Sequence, residues 1–262
     1  IFMKKLMTRL LSLVLLGAFI PSFALAQEWD LNNGNIIVNA VPGTEQTVSQ
    51  AGSTPTVDNN PVITSNGNST SNTVTITAAE NATANVTLEN VNINTGGAAI
   101  STSGQGNVNI ELDGTNTVQS GTNHAGVEKN STGTLTIKDE KNNKGSLTAT
   151  GGDRGAGIGG GDGGSGSHIT ISGGEVTAKG GRLAAGIGGG EDGNGSHITI
   201  EGGKVTATGK DGGAGIGGGT NDNNVNNKGE HITIKNGTVT ATGGGGAAGI
   251  GGGFAGVGSG IT

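Results

Sequence analysis

A three-part segment recurs along this chain, and it restricts the fold more than any other feature. His-Ile-Thr-Ile is followed by Val-Thr-Ala and then by Ala-Gly-Ile with a run of glycines. One copy reads His168 to Ile171, Val176 to Ala178 and Ala185 to Ile187. The next reads His197 to Ile200, Val205 to Ala207 and Ala214 to Ile216, and a third reads His231 to Ile234, Val239 to Ala241 and Ala248 to Ile250. Looser copies lie upstream, with first segments at Val86-Thr87-Leu88, Val108-Asn109-Ile110 and Leu135-Thr136-Ile137. First segments then begin at residues 86, 108, 135, 169, 198, 232 and 261, at intervals of 22 to 34 residues.

The two longer segments of each unit alternate apolar with polar residues, the mark of a strand with one buried face. None holds ten residues of helical period, and glycine costs a helix interior about 1 kcal/mol relative to alanine. Three short strands cannot bury a face alone. Stacking successive units so that each strand pairs with its counterpart buries a continuous core. The expected fold is all-β, a right-handed parallel β-helix (β-solenoid) with three short strands per coil. Equivalent residues then lie above one another at the strand spacing of about 4.8 Å. This predicts inward ladders Ile169/Ile198/Ile232, Ile171/Ile200/Ile234, Val176/Val205/Val239, Ala178/Ala207/Ala241 and Ile158/Ile187/Ile216/Ile250. Length variation falls in polar inserts, Lys138 to Gly145 and Thr220 to Gly229, read as outward corner loops.

Three regions follow. Residues 1–26 read as a signal peptide: Lys4, Lys5 and Arg9, an apolar run from Leu10 to Phe23, then Ala24-Leu25-Ala26, with cleavage between Ala26 and Gln27. Residues 27–72 read as an N-terminal cap or irregular segment, loosest from Ser49 to Pro61, and residues 73–262 as the β-helix repeats. Gly249 to Thr262 aligns without gaps to Gly157 to Thr170, so the repeats are read as truncated at the C-terminus. An open coil end is a template for strand pairing, and the fragment is expected to self-associate there.

Export implies a secreted or cell-surface, extracytoplasmic location, and no second long apolar stretch predicts a membrane span after signal removal. Without residues 1–26 the chain carries 11 Lys and Arg against 20 Asp and Glu, a net charge of −9. That acidic balance, with no basic cluster, argues against nucleic acid as a partner. There is no cysteine, which excludes disulfides and thiolate chemistry.

Chemistry-bearing motifs are sparse. Gly155 to Gly160 and Gly213 to Gly218 fit G-x-G-x-x-G but open no helix, so the nucleotide-loop reading fails its structural condition; the glycines are read as tight-turn residues. His168, His197 and His231 fall on consecutive coils just outside the first strand, as solvated outer-face residues or, less expectedly, a metal-binding ladder. Asp162, Asp192 and Asp222, with Glu191, are candidate calcium ligands at turns, calcium being the one cofactor considered. Arg154 and Arg182 lie on adjacent coils, the only hint of a lyase base. The outward rows Thr148/Thr177/Thr206/Thr240 and Thr150/Lys179/Thr208/Thr242 suggest an ice-binding face, interrupted by Lys179, although threonine is simply favoured on exposed strands. No nucleophile stands in a motif with a base, so no catalytic residue is assigned and the chain is expected not to be an enzyme.

From about Asn72 onward the chain resembles a family of bacterial secreted and surface proteins described as carbohydrate-binding-domain β-helices. VTLENVNI (86–93), NVNIELDGTNTV (107–118), GTLTIKDEKNNKGSLTATGG (133–152) and the GAGIGGG…ITI…VTAT repeats carry the resemblance. It implies a shape like that of pectate lyases and a binding rather than cleaving role, with a polysaccharide or a host or cell-surface glycan as partner. The carbohydrate-binding residues are unknown from this resemblance. One Trp and no Tyr leave no aromatic platform for sugar stacking; glycan contacts would be polar, through Asn, Asp, Thr and carbonyls. A structural stalk displaying a further C-terminal module is the alternative, and a polysaccharide lyase the third.

Overall fold

A computed structural model describes residues 27–220 and 227–262. The leader, including Ala26, and Asp222 lie outside the described residues. Among the described residues the strands form three sheets of nine, six and ten strands. From Thr83–Glu89 onward each full coil contributes one strand to each sheet in turn, and the chain winds as a right-handed parallel β-helix. The sole helical element described is a 3-10 turn, Leu31–Asn33. No described helix is long and apolar enough to cross a membrane.

The first sheet holds the Ile-Thr-Ile strands, such as Gly166–Ile171, Gly195–Ile200 and Gly229–Ile234. The second holds Glu175–Lys179, Lys204–Thr208 and Thr238–Thr242, and the third the two-residue strands Ile158–Gly159, Ile187–Gly188, Ile216–Gly217 and Ile250–Gly251. Every inward ladder read from the repeats forms in register. Ile169 pairs with Ile198 and Ile198 with Ile232; Val176 pairs with Val205 and Val205 with Val239; Ile158, Ile187, Ile216 and Ile250 pair in sequence. Ile169, Ile171, Val176, Ile187, Ile198, Ile200 and Val205 are wholly buried. Each such side chain contributes about 1.5–3 kcal/mol of transfer free energy, and the stacked rows make one continuous core.

One register differs from the expectation. Val86 stands opposite Ile110, and Ala84 opposite Val108, so the first interval is two residues longer than the repeat alignment suggests. A slip of two keeps every side chain on its own face, which is why alternation alone does not detect it.

The glycine after each third-sheet isoleucine has a specific cause. Gly159, Gly188, Gly217 and Gly251 have φ of 131° to 137°. A Cβ on Gly188 would lie 2.0 Å from the carbonyl oxygen of Gly217 on the next coil, and one on Gly159 equally close to that of Gly188. Only glycine lets the coils close to hydrogen-bonding distance here.

Pairing also runs through the segment read as a cap. Glu28–Asp30 pairs in parallel with Val62–Thr64, and Ile36–Ala40 with Val74–Ala78, so the coil stack begins at residue 28. The stretch expected to be loosest holds strand: Thr47–Gln50 folds back antiparallel along Ile36–Ala40, and Thr56–Val57 pairs antiparallel with Thr47–Gln50 in turn. This antiparallel flap ends the third sheet, covering the edge that a solenoid otherwise leaves open. Trp29 is buried beneath it and its indole Nε1 donates to Asp58 Oδ2 at 2.9 Å.

Candidate functional site

Outward side chains of a flat parallel sheet make a smooth surface, and depth appears where something covers it. On the first sheet the cover is the insert after Leu135–Lys138. It does not project outward as a free corner loop; it folds back over the two preceding coils. Asp139, itself buried, organises it by accepting the N–H groups of Asn143 (3.1 Å) and Gly145 (2.8 Å). Glu111, on the outer face of Asn107–Asp113, accepts the N–H groups of Glu140 (2.7 Å) and Lys141 (2.9 Å) through Oε1. Asn142 donates to Asp113 Oδ1 at 2.7 Å, and Lys141 Nζ reaches Thr87 Oγ1 at 3.5 Å.

The cover is measurable in exposure. Thr87 and Glu111 occupy outward positions on alternating strands, yet are only 6% and 8% exposed. The result is a cleft of about 380 Å³. Its floor is Asn85, Thr87, Asn109 and Glu111; Lys138, Glu140 and Lys141 form one wall and Asn60, from the N-terminal flap, the other. Gln46 fixes that flap to the floor strand: its Oε1 accepts Asn85 N–H at 2.8 Å and its Nε2 donates to Asn85 O at 3.0 Å. Across the floor Asn109 Nδ2 donates to Asn85 Oδ1 at 2.9 Å.

Two lysines and two glutamates line the cleft, so it carries no strong net charge; Lys138 pairs with Glu140 and lies 3.9 Å from Glu111. Amides, ammonium groups and carboxylates in such a setting suit a neutral, hydroxyl-rich ligand better than a polyanion. Its lining contains no Ser, His or aromatic residue. A wider groove of about 650 Å³ continues along the corner between the first and second sheets, across Ser146, Glu175, Glu201, Lys204 and Asn236. There the charges pair coil to coil, Lys204 with Glu175 at 2.7 Å and Lys235 with Glu201 at 2.8 Å.

The residues singled out from sequence are placed elsewhere. Asp162 faces Arg154 (3.6 Å) rather than other carboxylates, Asp192 sits in a left-handed turn conformation with φ of 61°, and among the described residues no three His, Asp or Glu converge as metal ligands. Asp162 thus has a guanidinium beside it, and the same guanidinium reaches Glu191 at 3.0 Å. Arg154 and Arg182 converge on the buried Glu191, at 3.0 and 3.8 Å, and Arg182 also on Asp153 at 3.5 Å. This carboxylate cluster ties the two arginines down as ion pairs between coils. Both threonine rows face outward in register, Lys179 included. Gln27, the residue after the expected cleavage point, passes its carbonyl to Val62 N–H at 3.0 Å.

Asn85, Thr87, Asn109, Glu111 and Lys141 were not legible as a group from the repeats. Two signals pointed to them: the extra length at Lys138 to Gly145, and an acidic residue at an outward strand position just before it.

Four segments, residues 142–162, 169–191, 198–220 and 232–254, match the family model described as beta helix repeat. From the second onward each match spans one coil, from the start of the Ile-Thr-Ile core to the turn after the third-sheet glycines. The similarity to that family lies in these four segments, on coils of the parallel β-helix described above. No curated protein and no solved structure matches it.

Proposed function

We propose that the protein is an exported, non-catalytic β-helix of the bacterial cell surface or secreted fraction that binds an extended polysaccharide or a host glycan. The observation that carries the reading is the polar cleft under the 139–145 insert, whose Asn85–Asn109 pair and two lysines offer donors and acceptors to sugar hydroxyls. Glu111 spends Oε1 on holding the insert, which supports reading it as an architectural residue. The corner groove prolongs the polar surface over several coils, so a polymer engages repeated groups and gains avidity without one tight site. The leader reading supports export, and the family resemblance a binding role. A structural stalk is the second reading, favoured by the uniform ladders of the later coils.

Retention on insoluble polysaccharides and a glycan array test this. Binding rises steeply with oligosaccharide length, falls in the Asn109→Ala/Lys141→Ala double variant, and releases no reducing ends or unsaturated products. No retention on any polysaccharide leaves the stalk reading, and steady product release leaves the lyase.

A further inference from the structure

His168, His197 and His231 form a column on the outer edge of the first sheet. Their rings stack at centroid distances of 4.8 Å, with interplanar angles of 6° and 15°. All three side chains belong to exposed residues, and no described residue hydrogen-bonds to their ring nitrogens. Ser167 pairs with Ser196 and Ile169 with Ile198 at one constant offset, so the histidines between them stand opposite one another in the ladder without pairing themselves.

The backbone does not ask for histidine there. φ is 54°, 52° and 53° at the three positions, and on the following coil the equivalent place is taken by Gly260 with φ of 60°. Glycine accepts this conformation without penalty, whereas a side chain in the left-handed region costs about 1–2 kcal/mol. Strain held at three successive coils, with the rings aligned and their nitrogens open, points to a use for imidazole.

We propose that adjacent histidines of this column chelate a divalent transition metal ion, of the zinc, nickel or copper class, one ion being shared between His197 and one neighbour. Imidazole nitrogen binds such ions at about 2.0–2.1 Å, so two nitrogens on one ion lie roughly 3–4 Å apart. Rings at 4.8 Å reach that separation by tilting their nitrogen edges together, a motion open to exposed side chains. His168 and His231 stand two coil spacings apart and cannot share an ion. One site per chain therefore forms, on His168–His197 or on His197–His231. Both pairs have the same ring separation, so either one holds the ion.

The test is Zn2+ titration of the full chain at pH 7.5, with asparagine replacing each histidine in turn, since asparagine tolerates the left-handed backbone. One Zn2+ binds per chain. His197→Asn, which breaks both pairs, weakens binding at least about tenfold by leaving single imidazoles, while His168→Asn or His231→Asn alone leaves one pair intact and binding nearly unchanged. His124→Asn, at the fourth histidine, is the control and has no effect. Unfolding midpoints without metal identify any variant that has lost the fold, and imidazole NMR shifts on Zn2+ addition report ligation independently of affinity. Unchanged binding in His197→Asn, or equal loss in His124→Asn, overturns the proposal.

Discussion

Stacking of the coils depends on glycine at the third sheet, and three Gly→Ala substitutions separate the reasons. Gly188 has φ of 131°, and a Cβ there meets the Gly217 carbonyl oxygen at 2.0 Å and its carbon at 2.9 Å. Relieving that overlap means parting two coils at a seam closed by Gly189 N–H to Gly217 O (2.9 Å) and Ile187 N–H to Gly215 O (3.0 Å). Losing two backbone bonds costs about 1–3 kcal/mol, and the strained backbone adds about 1–3 kcal/mol. The sum, about 2–6 kcal/mol, is a large part of a domain's usual 5–15 kcal/mol or so. Gly163 also has positive φ, 69°, but nothing lies within 4 Å of its added Cβ, so Gly163→Ala carries only strain, about 1–2 kcal/mol. Gly96 has neither constraint, and Gly96→Ala is neutral or stabilises by up to about 1 kcal/mol through the unfolded chain. Urea unfolding followed by far-ultraviolet circular dichroism ranks the three, with Gly188→Ala lowest. Because each coil contacts chiefly its neighbours, Gly188→Ala also splits the transition, the coils beyond the break unfolding first. Equal midpoints for Gly188→Ala and Gly163→Ala refute the argument.

Three further outcomes follow from burial, titration and the insert. Ile200→Asp places an unpaired carboxylate among the buried rows, costing several kcal/mol, while Thr199→Asp on the opposite face stays within about 0.5 kcal/mol; equal melting temperatures contradict the register. Lys129 is only 4% exposed, its Nζ donates to Ser131 O at 2.7 Å, and burial lowers its pKa from 10.5 to about 8. The unfolded chain then binds more protons than the folded one between these values, so stability rises from about pH 8 to 10.5; Lys129→Met removes that rise, and a persisting slope assigns it elsewhere. Replacing residues 139–145 with Gly-Gly, matching the Gly173-Gly174 turn one coil on, keeps the second-sheet register of Ser146 with Glu175. The variant folds with a similar melting temperature but loses polysaccharide retention; retained binding removes the cleft from the proposal.

The ladders were legible because a stacked coil imposes the same demand on the same position every turn. Ile198 must be apolar for the reason that Ile169 must. The register of Val86 was not, since its strand Thr83–Glu89 is longer and slides by two without changing faces. Nor was the flap at Thr47–Gln50, which pairs once, antiparallel, and leaves no repeat to compare. The candidate site was hidden for a related reason. Thr87 and Glu111 look like ordinary outward residues until the insert, 54 and 29 residues further along the chain, is seen to fold onto them. The histidine column was visible as a pattern, but ring alignment and left-handed φ required the structure.

These cases divide the molecule into two kinds of surface. From Gly166 on, each coil repeats the last, and whatever one presents the next presents at about 4.8 Å; such a surface offers rows, suited to polymers and to ions shared between neighbours. In the first coils, outward positions differ from turn to turn: Asn85 stands under Asn109, Thr87 under Glu111, and there an insert covers the sheet. Depth and asymmetry, which selecting one sugar from another requires, arise from the break in periodicity. A glycan would be chosen at the irregular coils and its length followed along the regular ones. Selectivity therefore tracks substitutions at Asn85, Asn109 and Lys141, whereas changes along the corner groove at Glu175 or Lys204 alter the dependence on chain length without changing which sugar is preferred.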